Sequence, residues 1–394
     1  MAYAHRRTIF DADTHMMERP DWIAEFADPD IRDRLSPFLK GSGHGMETVE
    51  DALQKFSQRR QDKFLQATSS DDFMSMKYKG WHGLGAFDAD ERKHANDLLG
   101  FKASIVFPTE AFNQVIAATE TDVLLGGIAA LNRGMHTFCS VDSRMFGACY
   151  VPLGLGPEVA CSVLDDIIRN GDKVILIDTI ANEGQRSFTH PDYDVVWRQI
   201  VEHDISVTLH IGAQGGEFHA VPDSFFNNGK VNRTHGSGDV PPNSMSYMGM
   251  HFAPSLFLSA MIFDGVLERF PGLRIAVVEL GASWIISWMK HLDQSYRAFK
   301  RLQDLSELTM LPSEYVQRQI KVTPFAGEDI GWLLTSGAQD LMMFASDYPH
   351  HEGTDDPIGR FERTMARVSE EQKQKFYEDN FRQFMGSTGT ALPS

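Results

Sequence analysis

Val174-Ile175-Leu176-Ile177-Asp178 stands near the middle of the 394-residue chain, as four apolar residues followed by a single acid. A continuous apolar run of this length is typical of a strand that is buried on both faces of a parallel sheet. Seven further segments read as strands, and helical sequence follows each of them: residues 8–16, 103–108, 145–153, 205–211, 274–279, 320–324 and 341–347. This alternation predicts a (β/α)8 TIM barrel, with an open, doubly wound sheet as the alternative.

Three regions depart from the regular alternation. Residues 28–95 are too long for a simple connection, and we predict that they form a lid or an oligomer contact inserted after the first strand. We predict a loop over residues 212–249, which is long enough to cover the mouth of a barrel. Two C-terminal helices, near residues 358–368 and 370–385, close the chain. We therefore treat residues 1–394 as one barrel domain with an insertion.

The composition argues against some classes of partner. The chain has 54 acidic and 37 basic residues and a net charge of −17, whereas nucleic acids and anionic membranes attract basic surfaces. It contains no apolar run of about 18 residues, so we predict no membrane-spanning helix. Cys139, Cys149 and Cys161 lack metal-type spacing and fit buried thiols in a reducing compartment. We expect a cytoplasmic protein that acts on a small molecule.

Polar side chains stand at the ends of four predicted strands. The first strand ends in Asp13-Thr14-His15, the fifth in His210 and the sixth in Glu279. The eighth ends in Asp347, and Tyr348-Pro349-His350-His351 follow it. In a barrel the carboxyl ends of the strands meet in one cup. Imidazoles and carboxylates are ligands for divalent metals, and a metal would neutralise the acids. The pattern therefore predicts a metal site.

Each of these residues also has a simpler explanation. A single His or Asp at a strand end is more often a hydrogen-bonded structural residue than a ligand. Glu279 differs, because it follows the apolar run Ile275-Ala276-Val277-Val278 and would lose its hydration. A buried carboxylate needs a cation or several donors beside it. The convergence of four strand ends favours the metal over the separate structural explanations.

Taken together, these motifs resemble the amidohydrolase superfamily, and within it the branch with aminocarboxymuconate semialdehyde decarboxylase and the resorcylate-type decarboxylases. The similar elements are Asp13-Thr14-His15, His210, the Ser-Asp-Tyr-Pro-His element after strand eight, and residues 263–274 leading into strand six. The resemblance covers most of the chain, except for residues 46–93. It implies a barrel fold and a divalent metal held by Asp13, His15, His210 and Asp347.

Strand six departs from the family pattern. Decarboxylases of this branch usually carry His-Gly-Gly there, with the His as acid and base, whereas this chain has Glu279-Leu280-Gly281. Glu279 is therefore either the general base beside a metal-bound water or a further ligand. The second case calls for another imidazole, for which we consider His251 and one of His350 and His351. We assign His351 and Glu279 to the metal, and Glu279 and His251 to catalysis.

Three functions follow from this site. The first is a metal-dependent enzyme that hydrolyses or non-oxidatively decarboxylates a small organic substrate with a carboxylate, carbonyl or aromatic group. The second is an oxygenase with a dinuclear Fe or Mn/Fe centre on the same scaffold. The third is a non-catalytic, metal-bearing subunit that partners an active paralogue. The metal would be zinc, manganese or iron, one or two ions per chain, in a homo-oligomer or a hetero-oligomer with a paralogue.

Overall fold

The computed structural model describes residues 2–4, 7–35, 46–67, 78–181, 184–212 and 244–393. Its centre is one curled sheet of seven parallel strands, in which each strand is hydrogen-bonded to the next along the chain. The strands are β1 (Phe10–His15), β2 (Ala103–Phe107), β3 (Met145–Val151), β4 (Val174–Ile177), β5 (Ser206–His210), β6 (Ile275–Val278) and β7 (Ile320–Val322). All seven lie within predicted strand segments, so the mixed α/β architecture with a parallel sheet is confirmed.

The predicted eighth strand does not form a regular strand. Residues 341–348 instead connect the two edges of the sheet through isolated contacts. Met342 bridges to Val322 on β7, and Tyr348 bridges to Thr14 on β1. The amide of Ala12 also donates to the carbonyl of Phe344 at 2.9 Å. The segment thus lies between β7 and β1, but the regular pairing of an eight-stranded barrel is not present and that closure stays a prediction.

Helices follow most of the strands. They are α1 (Trp22–Phe26), α2 (Pro29–Arg32), α3 (Met46–Gln61), α4 (Ala89–Leu99), α5 (Glu110–Ile116), α6 (Thr121–Cys139), α7 (Pro157–Asn170), α8 (Asp194–Glu202), α9 (Ser244–Gly249), α10 (Phe252–Phe263), α11 (Val266–Arg269), α12 (Ile285–Phe299), α13 (Pro312–Gln319), α14 (Ile330–Leu333), α15 (Pro357–Thr364), α16 (Glu370–Gln374), α17 (Asn380–Phe384) and α18 (Gly386–Ala391). No helix of the described residues has the length and apolar character needed to cross a membrane.

The two faces of the sheet pack into different parts of the core. Ile175 and Ile177 belong to a cluster with residues of the surrounding helices, whereas Val174 and Leu176 belong to a second cluster with Phe381 of α17. This separation follows from the two-residue alternation of a strand. Because both faces are buried, each such aliphatic side chain contributes about 1.5–3 kcal/mol to stability. The apolar run therefore has the role that its sequence predicted.

The insertion is described only in part, since residues 36–45 and 68–77 lie outside the described residues. Its described portion has a small core of its own, in which Val49, Ala52, Trp81 and Phe87 pack with Met17. The indole of Trp81 donates to the carbonyl of Glu18 at 2.9 Å and so fixes this subdomain to the chain after β1. A lid or oligomer-contact role for residues 28–95 stays a prediction. Most of the predicted mouth-covering loop, residues 213–243, also lies outside the described residues.

Candidate metal centre

The end of β1 supplies the first two side chains of the site. Between Asp11 and Thr14, β1 holds one residue more than the facing part of β2, which is a β-bulge. Asp13 and His15 are both buried, with Asp13 Oδ1 3.2 Å from His15 Nε2. In a regular strand Asp11 would share their face, but its carboxylate instead accepts hydrogen bonds from the amides of Asp13 and Ser346. The bulge thus interrupts the expected alternation.

His210 at the end of β5 points its Nε2 atom at the same cluster. Its Nδ1 atom lies 2.8 Å from the carbonyl oxygen of Ile211. Because a carbonyl can only accept, Nδ1 carries the proton in the neutral ring and Nε2 keeps its lone pair. Nε2 is 3.2 Å from Glu279 Oε2 and 3.6 Å from Asp13 Oδ1. His210 is therefore held in the tautomer that a metal requires.

Glu279 reaches the cluster because of an unusual backbone conformation. The register places His210 opposite Val278, so a continued strand would direct Glu279 to the other face of the sheet. Instead Glu279 has φ of 55°, in the left-handed region that non-glycine residues rarely adopt. Its amide donates to Thr323 Oγ1 at 3.1 Å, and its carboxylate lies against both imidazoles. The turn at this residue thus brings a buried acid into the site.

Asp347 and His350 complete the cluster from the segment after residue 341. Asp347 also has a left-handed backbone, with φ of 56°, and its amide donates to the carbonyl of Asp13 at 3.0 Å. The amide of His350 donates to the carbonyl of Asp347, which closes a turn between them. His350 is 2% exposed, and its Nδ1 atom lies 3.1 Å from Asp347 Oδ1.

Two overlapping groups of side chains have ligand atoms within 4.8 Å of one another, Asp13, His15, His210 and Glu279 in one, and His15, Glu279, Asp347 and His350 in the other. Six of their buried atoms have no hydrogen-bond partner among the described residues: Asp13 Oδ1, His15 Nε2, His210 Nε2, Glu279 Oε2, Asp347 Oδ1 and His350 Nδ1. Such orphaned atoms are costly unless something binds them. A set of imidazole and carboxylate donors that face one point fits a divalent metal.

The pKa values show how strongly these groups interact. Burial alone would lower the pKa of His15, but the carboxylates of Asp13 and Glu279 outweigh it and raise that pKa to about 9. Burial would raise the pKa of Glu279, yet the imidazoles of His15 and His210 beside its carboxylate hold that pKa well below its ordinary value. Burial and the neighbouring acids Glu279 and Asp13 raise the pKa of Asp347 well above its ordinary value. The site therefore concentrates charge that a cation would compensate.

Two of the predicted site residues do not lie in either group. His351, which we predicted as a metal ligand, is exposed and lies in neither group, whereas His350 belongs to the second group. The turn that closes from His350 to Asp347 is the reason, because it returns His350 and not its neighbour to the carboxylate. His251 is half-buried and stacks on Trp284, with ring centroids 5.5 Å apart. Burial lowers its pKa.

Sequence reasoning missed three polar residues that contact the cluster or its neighbours. Thr109, just after β2, lies between two imidazoles, and its position at a strand end is the signal that could have identified it. Arg92 of α4 is buried and donates to the carbonyl oxygens of His15 and Gly85. Lys79 donates to the carbonyl of Thr354 at 3.1 Å, and burial lowers its pKa. The last two belong to the insertion, and no local pattern relates them to the strand ends.

A cavity of about 490 Å³ opens beside the cluster. Its lining includes Asp13, Glu279 and Asp347, and Tyr247 and Phe325 contribute aromatic surface, with ring centroids 5.8 Å apart. This volume is within the usual range for small-molecule sites. The cluster is thus accessible to a small organic compound with an apolar part.

The protein thus combines a parallel α/β fold with acid and imidazole side chains, at the strand ends, that could hold a metal ion. A sequence model of the amidohydrolase family matches residues 81–386, which is more than half of the chain. The chain therefore belongs to the amidohydrolase family, and the resemblance noted in the sequence is confirmed. A sequence search among curated proteins finds no match.

Solved structures with this fold include both amidohydrolases and decarboxylases. An amidohydrolase from Mycobacterium avium subsp. paratuberculosis is 19% identical, over 97% of this chain and 100% of its own, with a TM-score of 0.70. A manganese-bound 5-carboxyvanillate decarboxylase from Novosphingobium aromaticivorans is 17% identical, over 96% and 97% of the two chains, with a TM-score of 0.63. A 2,6-dihydroxybenzoate decarboxylase from Rhizobium is 15% identical, over 96% and 98%, with a TM-score of 0.58. At these identities the likeness concerns the fold.

Proposed function

We propose that the protein is a metal-dependent enzyme that hydrolyses or non-oxidatively decarboxylates a small organic compound with a carboxylate, carbonyl or aromatic group. The observation that carries this proposal is the set of buried ligand atoms without hydrogen-bond partners that converge beside a cavity of about 490 Å³. Buried polar atoms without partners are rare in native proteins, and their clustering indicates a bound ion. Family membership and the manganese-bound decarboxylase of similar fold support the same conclusion.

The proposed ligands are the four residues that the family resemblance implied, Asp13, His15, His210 and Asp347, together with Glu279 and with His350 in place of His351. Glu279 belongs to both overlapping groups, and its Oε2 atom faces His15 and His210. This position supports a ligand role for Glu279 over that of a free general base. His251 lies in neither group, so we propose no catalytic step for it.

A divalent ion in this site would polarise a substrate oxygen and lower the pKa of a bound water. The chain's own residues would provide the surroundings of the substrate. Ile211 and Phe325 line the cavity beside the acids and would exclude water from an apolar substrate body. Because the strand-six residue is Glu279 and not His, the decarboxylase acid–base step is not transferred to this chain, and hydrolysis and decarboxylation both remain within the proposal.

Metal analysis tests the ligand set. Protein purified without chelator is expected to retain a divalent metal, whereas His210→Ala and Asp347→Ala should each lose most of it, since either change removes a donor from the cluster. His203→Ala, at an exposed position outside the cluster, is the matched control and should keep its metal. Unchanged metal content in both ligand variants, measured by inductively coupled plasma mass spectrometry, would reject the assignment.

The overlap of the two groups favours a second candidate, an oxygenase with a dinuclear Fe or Mn/Fe centre. Together the two groups contain six different side chains with donor atoms, a set that could hold two ions. Close to two metal ions per chain, with iron among them, would support this candidate, and one zinc or manganese ion would support the first.

Retained metal without turnover of aryl carboxylates, esters or amides would favour the non-catalytic subunit. We also propose an oligomer, which sedimentation velocity would test.

A further inference from the structure

The hydroxyl of Thr109 lies between two imidazoles of the proposed metal centre. Its Oγ1 atom is 3.3 Å from His15 Nδ1 and 3.0 Å from His350 Nε2. All three side chains are buried, and Thr109 is 1% exposed. The two imidazoles come from opposite ends of the chain and stack with ring centroids 3.6 Å apart. One hydroxyl thus contacts His15, which belongs to both ligand groups, and His350, which belongs to the second group.

The tautomers of the two rings follow from which nitrogens face the cluster. His15 Nε2 and His350 Nδ1 are the buried atoms without a hydrogen-bond partner among the described residues, and they point toward the acids. A ring that binds a metal through one nitrogen carries its proton on the other. His15 would therefore carry its proton on Nδ1, and His350 on Nε2. Both N–H groups then face Thr109 Oγ1, whose two lone pairs can accept both hydrogen bonds.

A structural role as a helix cap does not account for this side chain. Thr109 directly precedes α5, where a threonine normally accepts a hydrogen bond from the first turn. Here its side chain makes no such bond. The buried carboxylate of Glu18 does so instead, accepting from the amides of Thr109, Glu110 and Ala111 at 2.9, 2.8 and 3.3 Å. Glu18 thus caps the helix and fixes the backbone of Thr109, which leaves the hydroxyl to the imidazoles.

We propose that Thr109 is a positioning residue for the metal centre, whose single hydroxyl accepts hydrogen bonds from His15 and His350 and holds each ring in its ligand tautomer. The inference rests on the proposed function, because it requires a metal at this site. It adds a residue that does not touch the metal but determines how two ligands present their lone pairs. Removing such an outer partner typically weakens metal binding by about 10- to 100-fold.

The test compares the Zn²⁺ affinity of the full-length protein and its variants in competition with a chromogenic chelator. Thr109→Val keeps the shape of the side chain but removes the acceptor, and its affinity should fall by about 10- to 100-fold. Thr109→Ser keeps the hydroxyl and should remain near the wild-type affinity. Thr189→Val is the matched control, because it removes a hydroxyl that bonds Asp264. If Thr109→Val does not fold, Thr109→Ala removes the same hydroxyl without a branched side chain.

Each outcome bears on a different part of the inference. If Thr109→Val binds Zn²⁺ with wild-type affinity and its free energy of unfolding in chelator is also unchanged, the positioning role is overturned. The proposed metal enzyme then stays in place. Weak binding by Thr109→Ser as well would overturn the positioning role too, because the methyl group and not the hydroxyl would then matter. A wild-type protein that binds no Zn²⁺ or Mn²⁺ would overturn the proposed function and this role together. Weak Zn²⁺ binding by Thr109→Val together with near wild-type binding by Thr109→Ser supports the inference.

Discussion

At the scale of single residues, the site depends on backbone conformations that are rare for its residue types. In the described part of the chain, three non-glycine residues have positive φ, and two of them are Glu279 and Asp347. Such conformations cost about 1–3 kcal/mol each and persist only where the surrounding structure enforces them. Both residues direct a carboxylate into the cluster, so the strained backbone conformations place two of the proposed metal ligands.

Asp347→Asn should separate stability from metal binding. Burial and the acids Glu279 and Asp13 raise the pKa of Asp347, which means that the folded, metal-free protein disfavours a charged carboxylate at this position. Asn lacks that charge and tolerates a left-handed backbone. We expect the free energy of unfolding in chelator to rise by roughly 1 kcal/mol while Zn²⁺ affinity falls at least tenfold. Urea unfolding and chelator competition measure the two effects.

The exposed acid Asp355 provides the control for that experiment, since Asp355→Asn removes the same charge outside the cluster. This substitution should change neither the free energy of unfolding in chelator nor the Zn²⁺ affinity appreciably. A metal-free Asp347→Asn protein that is clearly less stable than the wild type would contradict the proposed repulsion. In that case the carboxylate would stabilise the folded chain.

At the scale of elements, the strand ends are connected by polar contacts that the apolar pattern does not encode. Asp178 directly follows β4, and it accepts hydrogen bonds from the hydroxyl of Tyr150 on β3 at 2.8 Å and from the amide of Gly154 at 3.1 Å. Burial raises the pKa of Asp178 to about 6, although both hydrogen bonds favour its charged form. The connection between β3 and β4 is therefore sensitive to pH.

The pH dependence of this connection has a definite sign. Between its ordinary pKa of 3.8 and the folded value of about 6, Asp178 holds a proton in the folded protein that it loses on unfolding. The stability contribution is thus fully present below pH 3.8 and declines as the pH rises to about 6. The stability of the wild type relative to Asp178→Asn should fall across this window and stay constant above it. Urea unfolding of both proteins at several pH values measures the difference, and a constant difference would refute the prediction.

At the scale of the whole molecule, ligands that are distant in sequence come together only in the folded chain. A metal that binds them therefore binds the native state and stabilises it. At 100 times its dissociation constant, an ion should add about 2.7 kcal/mol to the free energy of unfolding. We expect Mn²⁺ or Zn²⁺ to raise the melting temperature of the wild type by several degrees in calorimetry. His210→Ala should show little of this shift, and equal shifts in both proteins would mean that the ion binds elsewhere.

Much of the fold could be predicted because its signals are local. The run at Val174–Ile177 is a strand at the predicted position, since four apolar residues in succession require burial on both faces. The structure of the segment after residue 341 was harder to predict. It contains apolar residues and ligand-type side chains, but it pairs with β1 and β7 only through isolated bridges. Composition alone does not determine how regularly a segment pairs.

The sequence by itself determined the order of strands and helices, the membership of the family and the strand ends that carry acids and imidazoles. Only the tertiary structure decided the bulge before Asp13, the inclusion of His350 in place of His351, and the contact of Thr109 with two rings. The physical reason is the range of the interactions. Apolar periodicity is set within a few residues, whereas the direction of a ligand side chain depends on turns and hydrogen bonds between segments that are hundreds of residues apart.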